Sequence, residues 1–347
     1  MAEGKGVDEA RVVPWLEANV AGFQGPAAFR LIAGGHSNLT FGVTDANDVR
    51  YVLRRPPLGH VLATAHDMGR EHKIIAALGP TAVPVPPALA YCDDVEVNDA
   101  PFYVMGFVEG TIIRDAAIAR TALSEEQRRT AGESIIDVMA SMHEVDVDRV
   151  GLGDLGRKEG YIERQLKRWY TQVKGSQELT KRELPDVDAV HAWLQAHVPT
   201  QTTAGIVHGD YRLDNCMIGH DGNITAVLDW ELCTLGDTMA DLGLLMVYWN
   251  DPDDDATSLL TAPTMVEGFP RRADLLERYA KVTGRDISNV DFYTAFGYWK
   301  LACIIEGVYA RYQAGVMGTS DPAAFEGFRT NVERLAASAK AAVERMS

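Results

Sequence analysis

One stretch of the chain, from residue 206 to residue 231, constrains the fold more than any other part of the sequence. A polar loop in its first half places Asp210 and Asn215 with four residues between them. An apolar run in its second half ends at Asp229. The sequence Asp-Gly-Asn at 221–223, between the halves, is typical of a β-hairpin turn. Such a hairpin would bring the three polar side chains to one edge.

These three side chains have the types and the spacing that phosphoryl transfer from a nucleoside triphosphate requires. The reaction needs a carboxylate for the proton of the acceptor hydroxyl and oxygen ligands that hold Mg²⁺ on the phosphates. Asp210 and Asn215 have the D-x-x-x-x-N spacing of the protein-kinase catalytic loop, and His208 stands two residues before the aspartate. Asp229 takes the second metal-binding position. A polar turn with surface acids is the alternative interpretation, but the whole pattern is much rarer than such turns.

The segments HGDYRLDN, LDWE and GDTMADLG resemble those of the aminoglycoside phosphotransferase family, which includes choline-kinase-like proteins. Within it they are most similar to the branch found fused to acyl-CoA dehydrogenases. The resemblance implies an α+β, protein-kinase-like fold with a small antiparallel-sheet lobe and a larger, mainly helical lobe. We expect a nucleotide-binding lobe at 1–105, a hinge at 106–110, and a catalytic and substrate-binding lobe at 111–347.

Two glycines lie between two predicted strands near the N-terminus. Backbone N–H groups can approach phosphate oxygens at such a place because glycine has no Cβ. An ordinary hairpin turn is the alternative interpretation, and the cation on the strand that follows favours phosphate binding. The candidate nucleotide-binding residues of this loop are Gly34, Gly35, His36, Ser37 and Asn38.

The next predicted strand, at 49–54, ends in a candidate phosphate-binding cation. The resemblance places Arg54 where kinases have the lysine of V-A-I-K, which holds the α- and β-phosphates. Because side chains alternate along a strand, Val52 and Arg54 share a face, and Arg54 is preferred over Arg55. Glu71 on a predicted amphipathic helix would orient this cation, as the corresponding glutamate does in kinases. A solvated helix glutamate is the alternative for Glu71.

An apolar run at 102–105 predicts a buried strand that leads into the hinge. The resemblance implies that Met105 is the gatekeeper and that backbone groups of Gly106 and Val108 hydrogen-bond the purine. Since backbone groups do this work, the side chains do not decide between ATP and GTP.

Several residues are candidates for the acceptor side of the site. Arg212, two residues after Asp210, matches the position where protein kinases carry a lysine near the γ-phosphate. The aromatic side chains of Trp230 and Trp249 are candidate walls of an acceptor pocket. Glu231 is an acid that a cationic acceptor would use.

Two further sets of charged residues have open interpretations. Glu306 lies within an apolar stripe of a predicted helix, so it either forms a structural ion pair or binds substrate. Arg164 and Arg168 share one face of a helix predicted at 160–173. That face is either simply solvated or binds an anion.

The composition excludes one class of partner. The net charge is −16 and no dense basic segment offsets it, which argues against nucleic-acid binding. The N-terminal sequence lacks an apolar signal core, and the apolar runs are too short to span a membrane. We therefore expect a cytoplasmic protein without membrane attachment. The oligomeric state does not follow from the sequence.

These features together predict a small-molecule kinase that uses ATP and Mg²⁺, with GTP as an alternative nucleotide, and phosphorylates a hydroxyl. The resemblance to the fused branch favours a hydroxyacyl acceptor. An aminoglycoside or amino-alcohol acceptor is the alternative within the same class. The alternative of another class is a nucleotide-binding regulatory protein without turnover, which only the arginine at position 54 supports.

Overall fold

The computed structural model describes residues 6–33, 38–58, 67–254, 263–315 and 325–347. The chain falls into two compact units. The first unit contains the described residues of Met1–Thr111 together with Ile224–Leu232, and the second contains those of Ile112–Asn223 and Cys233–Ser347.

The first unit is built on an antiparallel sheet with the strand order β1-β2-β3-β5-β4. Phe41, Leu53 and Val104 are buried and lie opposite one another on three neighbouring strands. Cross-strand apolar rows of this kind are what stabilise a half-buried sheet. The strands are β1 (Ala28–Ala33), β2 (Leu39–Thr44), β3 (Arg50–Arg55), β4 (Ala88–Cys92) and β5 (Phe102–Gly106).

The helices of the first unit are α1 (Glu9–Asn19), α2 (Met68–Leu78) and α3 (Val95–Asn98). Each of them begins after an aspartate, and the side chain of that aspartate accepts a backbone N–H of the first turn. Such a cap satisfies one of the donors that a helix start leaves free.

The second unit is mainly helical. Its longest described helix, α10, packs against α6, α8 and α11. Gly243 on α8 allows a close approach, since a Cβ there would lie 2.4 Å from the carbonyl carbon of Tyr293 on α10. The helices are α4 (Ala116–Ala122), α5 (Glu125–His143), α6 (Tyr161–Thr180), α7 (Pro185–Ala196), α8 (Met239–Tyr248), α9 (Arg272–Thr283), α10 (Val290–Gln313) and α11 (Glu326–Met346).

The remaining strands are short: β6 (Gly205–Val207), β7 (Cys216–Ile218), β8 (Ile224–Val227) and β9 (Thr234–Gly236). Within the second unit, β6 pairs with β9 in antiparallel fashion. The turn predicted at 221–223 is present, because the N–H of Gly219 donates to the carbonyl of Asn223 over 2.8 Å. The strand β8 belongs to the first unit, where the N–H of Val227 donates to the carbonyl of Pro84 over 2.8 Å.

None of the helices in the described ranges combines the length and the apolar character that crossing a bilayer requires.

Candidate active site

In the second unit, the loop that carries Asp210 follows β6 and is fixed by Asp241 from the first turn of α8. The two carboxylate oxygens of Asp241 accept the backbone N–H groups of His208 over 2.6 Å and of Gly209 over 2.9 Å. Burial alone would raise the pKa of Asp241, but His143 and these donors bring the pKa below its ordinary value. A helix start also favours an anion. The loop is therefore held by an ionised carboxylate.

The carboxylate of Asp210 has a donor on each oxygen. Tyr248, the last residue of α8, donates its hydroxyl to Oδ1 over 2.7 Å. Asn215 donates its amide N–H to Oδ2 over 2.9 Å and also to the Asp210 carbonyl over 2.8 Å. Because the Asn215 nitrogen is used in this way, its amide oxygen is the atom that could ligate a cation.

Arg212 completes this loop cluster. Its Nε lies 3.6 Å from Oδ2 of Asp210, and its Nη1 lies 3.1 Å from Oδ2 of Asp214. The guanidinium stacks over the ring of Tyr248 at 4.8 Å from the centroid. The candidate base and the candidate cation are thus neighbours, and one tyrosine contacts both.

A small depression opens beside this cluster. Its floor and walls are mostly apolar, and its charged members are the ion-paired Arg212 and Asp214. Such a mixture of apolar surface and a few polar groups is typical of small-molecule sites. The lining residues are Arg212, Leu213, Asp214, Leu245, Tyr248, Trp249, Pro263 and Thr264.

In the first unit, the guanidinium of Arg54 bridges two carboxylates. Its Nη2 lies 2.6 Å from Oδ1 of Asp229, and its Nε lies 3.1 Å from Oε2 of Glu71. Although burial acts to lower it, the pKa of Arg54 is raised by the charges of Glu71 and Asp229. The guanidinium therefore stays charged and links α2, β3 and Asp229, which lies two residues after β8.

The carboxylate of Glu71 is buried among donors. Asn38 donates to its Oε1 over 2.9 Å, and the hydroxyl of Tyr103 donates to its Oε2 over 3.1 Å. The amide of Asn38 also lies 3.4 Å from Oε2 of Glu231. A buried carboxylate with an arginine and two neutral donors is an anchored partner for that arginine, so the solvated-glutamate alternative is wrong.

Asp229 has a backbone φ of +63°, a left-handed conformation that residues with a Cβ adopt at a cost. The ion pair with Arg54 and the 3₁₀ turn at Trp230–Leu232 that follows hold it there. Non-glycine residues in this conformation occur disproportionately at functional positions.

Arg54 and Arg55 lie on opposite faces of β3, as the alternation predicts. Arg55 is buried and donates to the carbonyls of Gly6 and Asn98, the latter over 3.2 Å. The choice of Arg54 as the cation beside Glu71 and Asp229 agrees with these contacts.

Only some of the remaining nucleotide-binding candidates lie within the described residues. Gly34, Gly35, His36 and Ser37 lie outside the described residues. Met105 is buried on β5. The N–H of Gly106 donates to the carbonyl of Pro87 over 2.8 Å, so of its two backbone groups only the carbonyl could serve a purine. Val108 follows β5 in the chain, and its contact with a purine stays a prediction.

Two acceptor-site candidates are corrected by their burial. Glu306 is 0% exposed and accepts from Thr180 and from Arg182, each over 2.7 Å. It is a structural ion pair, so the substrate-ligand interpretation is wrong. Trp230 is also buried, with its indole N–H donated to the carbonyl of Val227 over 3.1 Å. It is a core residue of the first unit rather than a pocket wall, whereas Trp249 does line the depression.

The two α6 arginines are not among the residues that line the depression. Arg164 donates to the carbonyl of Arg157 over 2.7 Å and also contacts the carbonyl of Glu159. Arg168 is exposed, and its guanidinium lies 4.8 Å from the ring centroid of Trp169. Their anion-binding role stays a prediction.

Sequence reasoning missed two residues that contact the Asp210 loop. Tyr248 is the last residue of α8, whose apolar sequence indicates burial but not a contact with this loop. Lys300 on α10 donates to the carbonyl of Gly209 over 2.9 Å. A lysine inside the apolar segment Trp-Lys-Leu-Ala-Cys indicates a buried polar contact, since lysine is rarely buried without a partner.

The model of the phosphotransferase enzyme family matches residues 28–280. A probable acyl-CoA dehydrogenase of Arabidopsis thaliana is 33% identical over 333 residues, which cover 90% of this chain and 40% of that protein. Acyl-CoA dehydrogenase family member 11 of Rattus norvegicus is 33% identical over 294 residues, which cover 83% of this chain and 37% of that protein. The chain therefore spans well under half the length of these relatives.

A Ralstonia eutropha crystal structure, provisionally described as an aminoglycoside phosphotransferase, is 32% identical with a TM-score of 0.82 and covers 97% of this chain and 98% of that one. The ternary complex of streptomycin, ATP and APH(2")-IIa matches at 14% identity with a TM-score of 0.60, covering 91% of this chain and 95% of that one, which shows the shared fold. These matches confirm the family and the protein-kinase-like α+β fold that the sequence predicts.

Proposed function

The chain belongs to the phosphotransferase enzyme family, and on that premise we propose that it transfers the γ-phosphoryl group of ATP to a hydroxyl group of a small acyl compound. The use of ATP is supported by the family and by the ATP named in the structure of a protein with the same fold.

The observation that carries the proposal is the arrangement around Asp210. Its carboxylate is held from both oxygens by Tyr248 and Asn215, and it stands beside the depression. A carboxylate in a fixed position next to an open pocket can accept or orient the proton of an acceptor hydroxyl. Arg212, whose guanidinium lies beside this carboxylate, is the proposed cation for the negative charge of the transferred group.

The nucleotide side uses oxygen ligands and a cation. In the second unit, Asn215 has its amide oxygen available, since its nitrogen contacts Asp210. In the first unit, Asp229 has a second carboxylate oxygen besides the one that lies 2.6 Å from Arg54. Each is an oxygen ligand of the kind that Mg²⁺ prefers. When bound, Mg²⁺ neutralises charge on the phosphates. Arg54, oriented by Glu71, is the proposed ligand of the α- and β-phosphates, and its planar fork suits phosphate oxygens.

The depression favours an acyl acceptor over an aminoglycoside. Leu213, Leu245, Trp249 and Pro263 give it apolar walls, which can cover a hydrocarbon chain. A polycationic acceptor would need several acids in one place. Glu306, which the sequence offered for that role, is fully buried. The acid that does line the depression, Asp214, is paired with Arg212.

The test is a phosphotransfer assay on the whole chain with Mg²⁺ and ATP. The acceptor arms are a 4-hydroxyacyl-CoA, the free 4-hydroxy acid and kanamycin, and both ADP release and phosphorylated acceptor are measured. Turnover with the hydroxyacyl compounds is expected, and Asp210→Asn should lower it by about 10²–10⁴-fold, the usual share of a positioned acid–base group.

The other outcomes separate the alternatives. Turnover with kanamycin alone would refute the acyl acceptor and leave the phosphotransferase assignment intact. Nucleotide binding without turnover on any arm would favour the regulatory alternative.

A further inference from the structure

The peptide bond between Gly209 and Asp210 has a buried partner that the proposed chemistry does not use. Lys300 comes from the middle of α10 and is 4% exposed. Its ammonium nitrogen donates to the carbonyl oxygen of Gly209 over 2.9 Å. That carbonyl belongs to the same rigid peptide plane as the nitrogen of Asp210.

The loop geometry makes this carbonyl hard to satisfy in any other way. Gly209 is buried and has a φ of +85°, a left-handed conformation that glycine adopts without strain. Asp241 accepts the N–H groups of His208 and Gly209 but, as an ionised carboxylate, it has no hydrogen to donate to a carbonyl. A buried carbonyl without a donor is costly. Without Lys300, this peptide keeps the longer hydrogen bond that the Asp210 N–H donates to Nδ1 of His208 over 3.3 Å, and rotation that exposes its carbonyl to another donor becomes favourable.

We infer that Lys300 is a positioning residue for Asp210, which acts by holding the Gly209 carbonyl and thereby fixing the plane from which the Asp210 side chain projects. Asp241 holds the N–H groups of His208 and Gly209, and Lys300 holds the carbonyl of Gly209. The inference rests on the proposed function for the part that concerns turnover, but the contact itself concerns only the loop.

The same helix carries a second buried charge that serves as a comparison. Glu306 lies six residues after Lys300, and its ion pair with Arg182 ties α10 to the chain after α6. Arg182 also reaches Glu333 on α11 over 2.9 Å. This network contacts no residue of the 208–215 loop among the described hydrogen bonds and ion pairs. Substitution of Arg182 therefore measures the effect of losing a buried charge contact that does not involve the 208–215 loop.

The experiment compares Lys300→Met with Arg182→Met in the whole chain. Amide hydrogen exchange is measured for the peptide that contains residues 208–215, and kcat and KM for ATP are measured with Mg²⁺ and the acceptor found active above. For Lys300→Met we expect faster exchange in this peptide and a kcat about 10–100-fold lower at an unchanged KM, because small misplacements of a reacting group are that costly. Arg182→Met should leave both quantities near the wild-type values while lowering the denaturation midpoint.

Hydrogen exchange separates this inference from the proposed function. If no acceptor is turned over, the proposed function fails, and the exchange of the 208–215 peptide still decides the role of Lys300. Wild-type exchange in Lys300→Met, or equally fast exchange in Arg182→Met, would refute the inference. Lys300→Gln is measured in the same way if Lys300→Met does not fold. Failure of both to fold would also refute it, since the lysine would then serve the whole unit rather than the loop.

Discussion

The Arg54 cluster of the first unit and the Asp210 cluster of the second unit are stabilised in different ways. In the first unit, Arg54 joins Glu71 and Asp229 through ion pairs between residues 17 and 175 positions away in the chain. In the second unit, Asp210 and Asn215 lie five positions apart in one loop. The ion pairs of Arg54 depend on the sheet, α2 and β8 being in place. The Asp210–Asn215 contact is local, and neutral or backbone-directed donors from α8 and α10, Tyr248 and Lys300, add to it.

Because of this difference, we expect substitutions in the two clusters to have effects of different size. Losing one member of the Arg54 cluster leaves a buried charge with fewer partners, which is costly. Losing a neutral donor to Asp210 leaves a half-exposed carboxylate that water can reach. Substitutions in the first cluster should therefore have larger effects than those of neutral donors in the second.

The largest effect is expected for Asp229→Ala, which removes the proposed metal ligand and one partner of Arg54. The tightening of ATP binding by Mg²⁺ should disappear, and turnover should fall by about 10³-fold or more, since a bound metal supplies several kcal/mol of charge stabilisation. Titrating ATP with and without Mg²⁺ measures this directly. Asp93→Ala, at an exposed aspartate of the same unit, is the control. A Mg²⁺ effect that survives in Asp229→Ala would mean that the metal has other ligands.

An intermediate effect is expected for Arg54→Ala. Loss of a charged hydrogen-bond donor to phosphate should weaken ATP binding by about 10–100-fold. Arg55→Ala is a matched control one residue away, and it should change ATP affinity by less than about 2-fold. It should instead lower the stability of folding by about 1–3 kcal/mol, because Arg55 satisfies buried carbonyls.

Calorimetric titration of ATP and a denaturant series would measure both halves of this prediction. If Arg55→Ala weakens ATP binding more than Arg54→Ala does, the assignment of the phosphate-facing side of β3 is wrong.

The sequence predicts those parts of the site whose geometry is local. The Asp210–Asn215 contact follows from the spacing within one loop, and the choice of Arg54 over Arg55 follows from the two-residue period of a strand. Both rules act over a few residues and do not need the rest of the fold.

Contacts from distant helices could not be predicted in this way. Tyr248 and Lys300 reach the loop from 38 and 91 positions away, and their direction depends on how α8 and α10 pack. The same applies to Glu306, for which an apolar stripe indicates burial but not whether the partner is an arginine or a substrate. The assignment of Trp230 to a pocket wall is wrong for a local reason. Its position next to Asp229 in the sequence does not determine the direction of its indole ring, which is buried.

The smallest effect is expected for Tyr248→Phe, which removes only the hydroxyl that donates to Asp210. The carboxylate keeps Asn215, and the phenyl ring keeps its packing over Arg212. A hydrogen bond to a charged group contributes about 1.5–3 kcal/mol when it is buried, and less where water can replace it. The expected result is therefore a kcat about 3–30-fold lower with an unchanged KM for ATP.

Tyr170→Phe is a matched control for this change, since Tyr170 in the same unit donates its hydroxyl to Asp188 over 3.1 Å, away from the loop. It should leave kcat unchanged. Steady-state kinetics on the two variants test the role of the Tyr248 hydroxyl. Each variant loses one tyrosine hydroxyl bonded to an aspartate, so only the position of that hydroxyl differs. If Tyr248→Phe costs as much as Asp229→Ala, the contrast between the clusters fails, and the hydroxyl of Tyr248 would have to take part in the chemistry rather than hold Asp210.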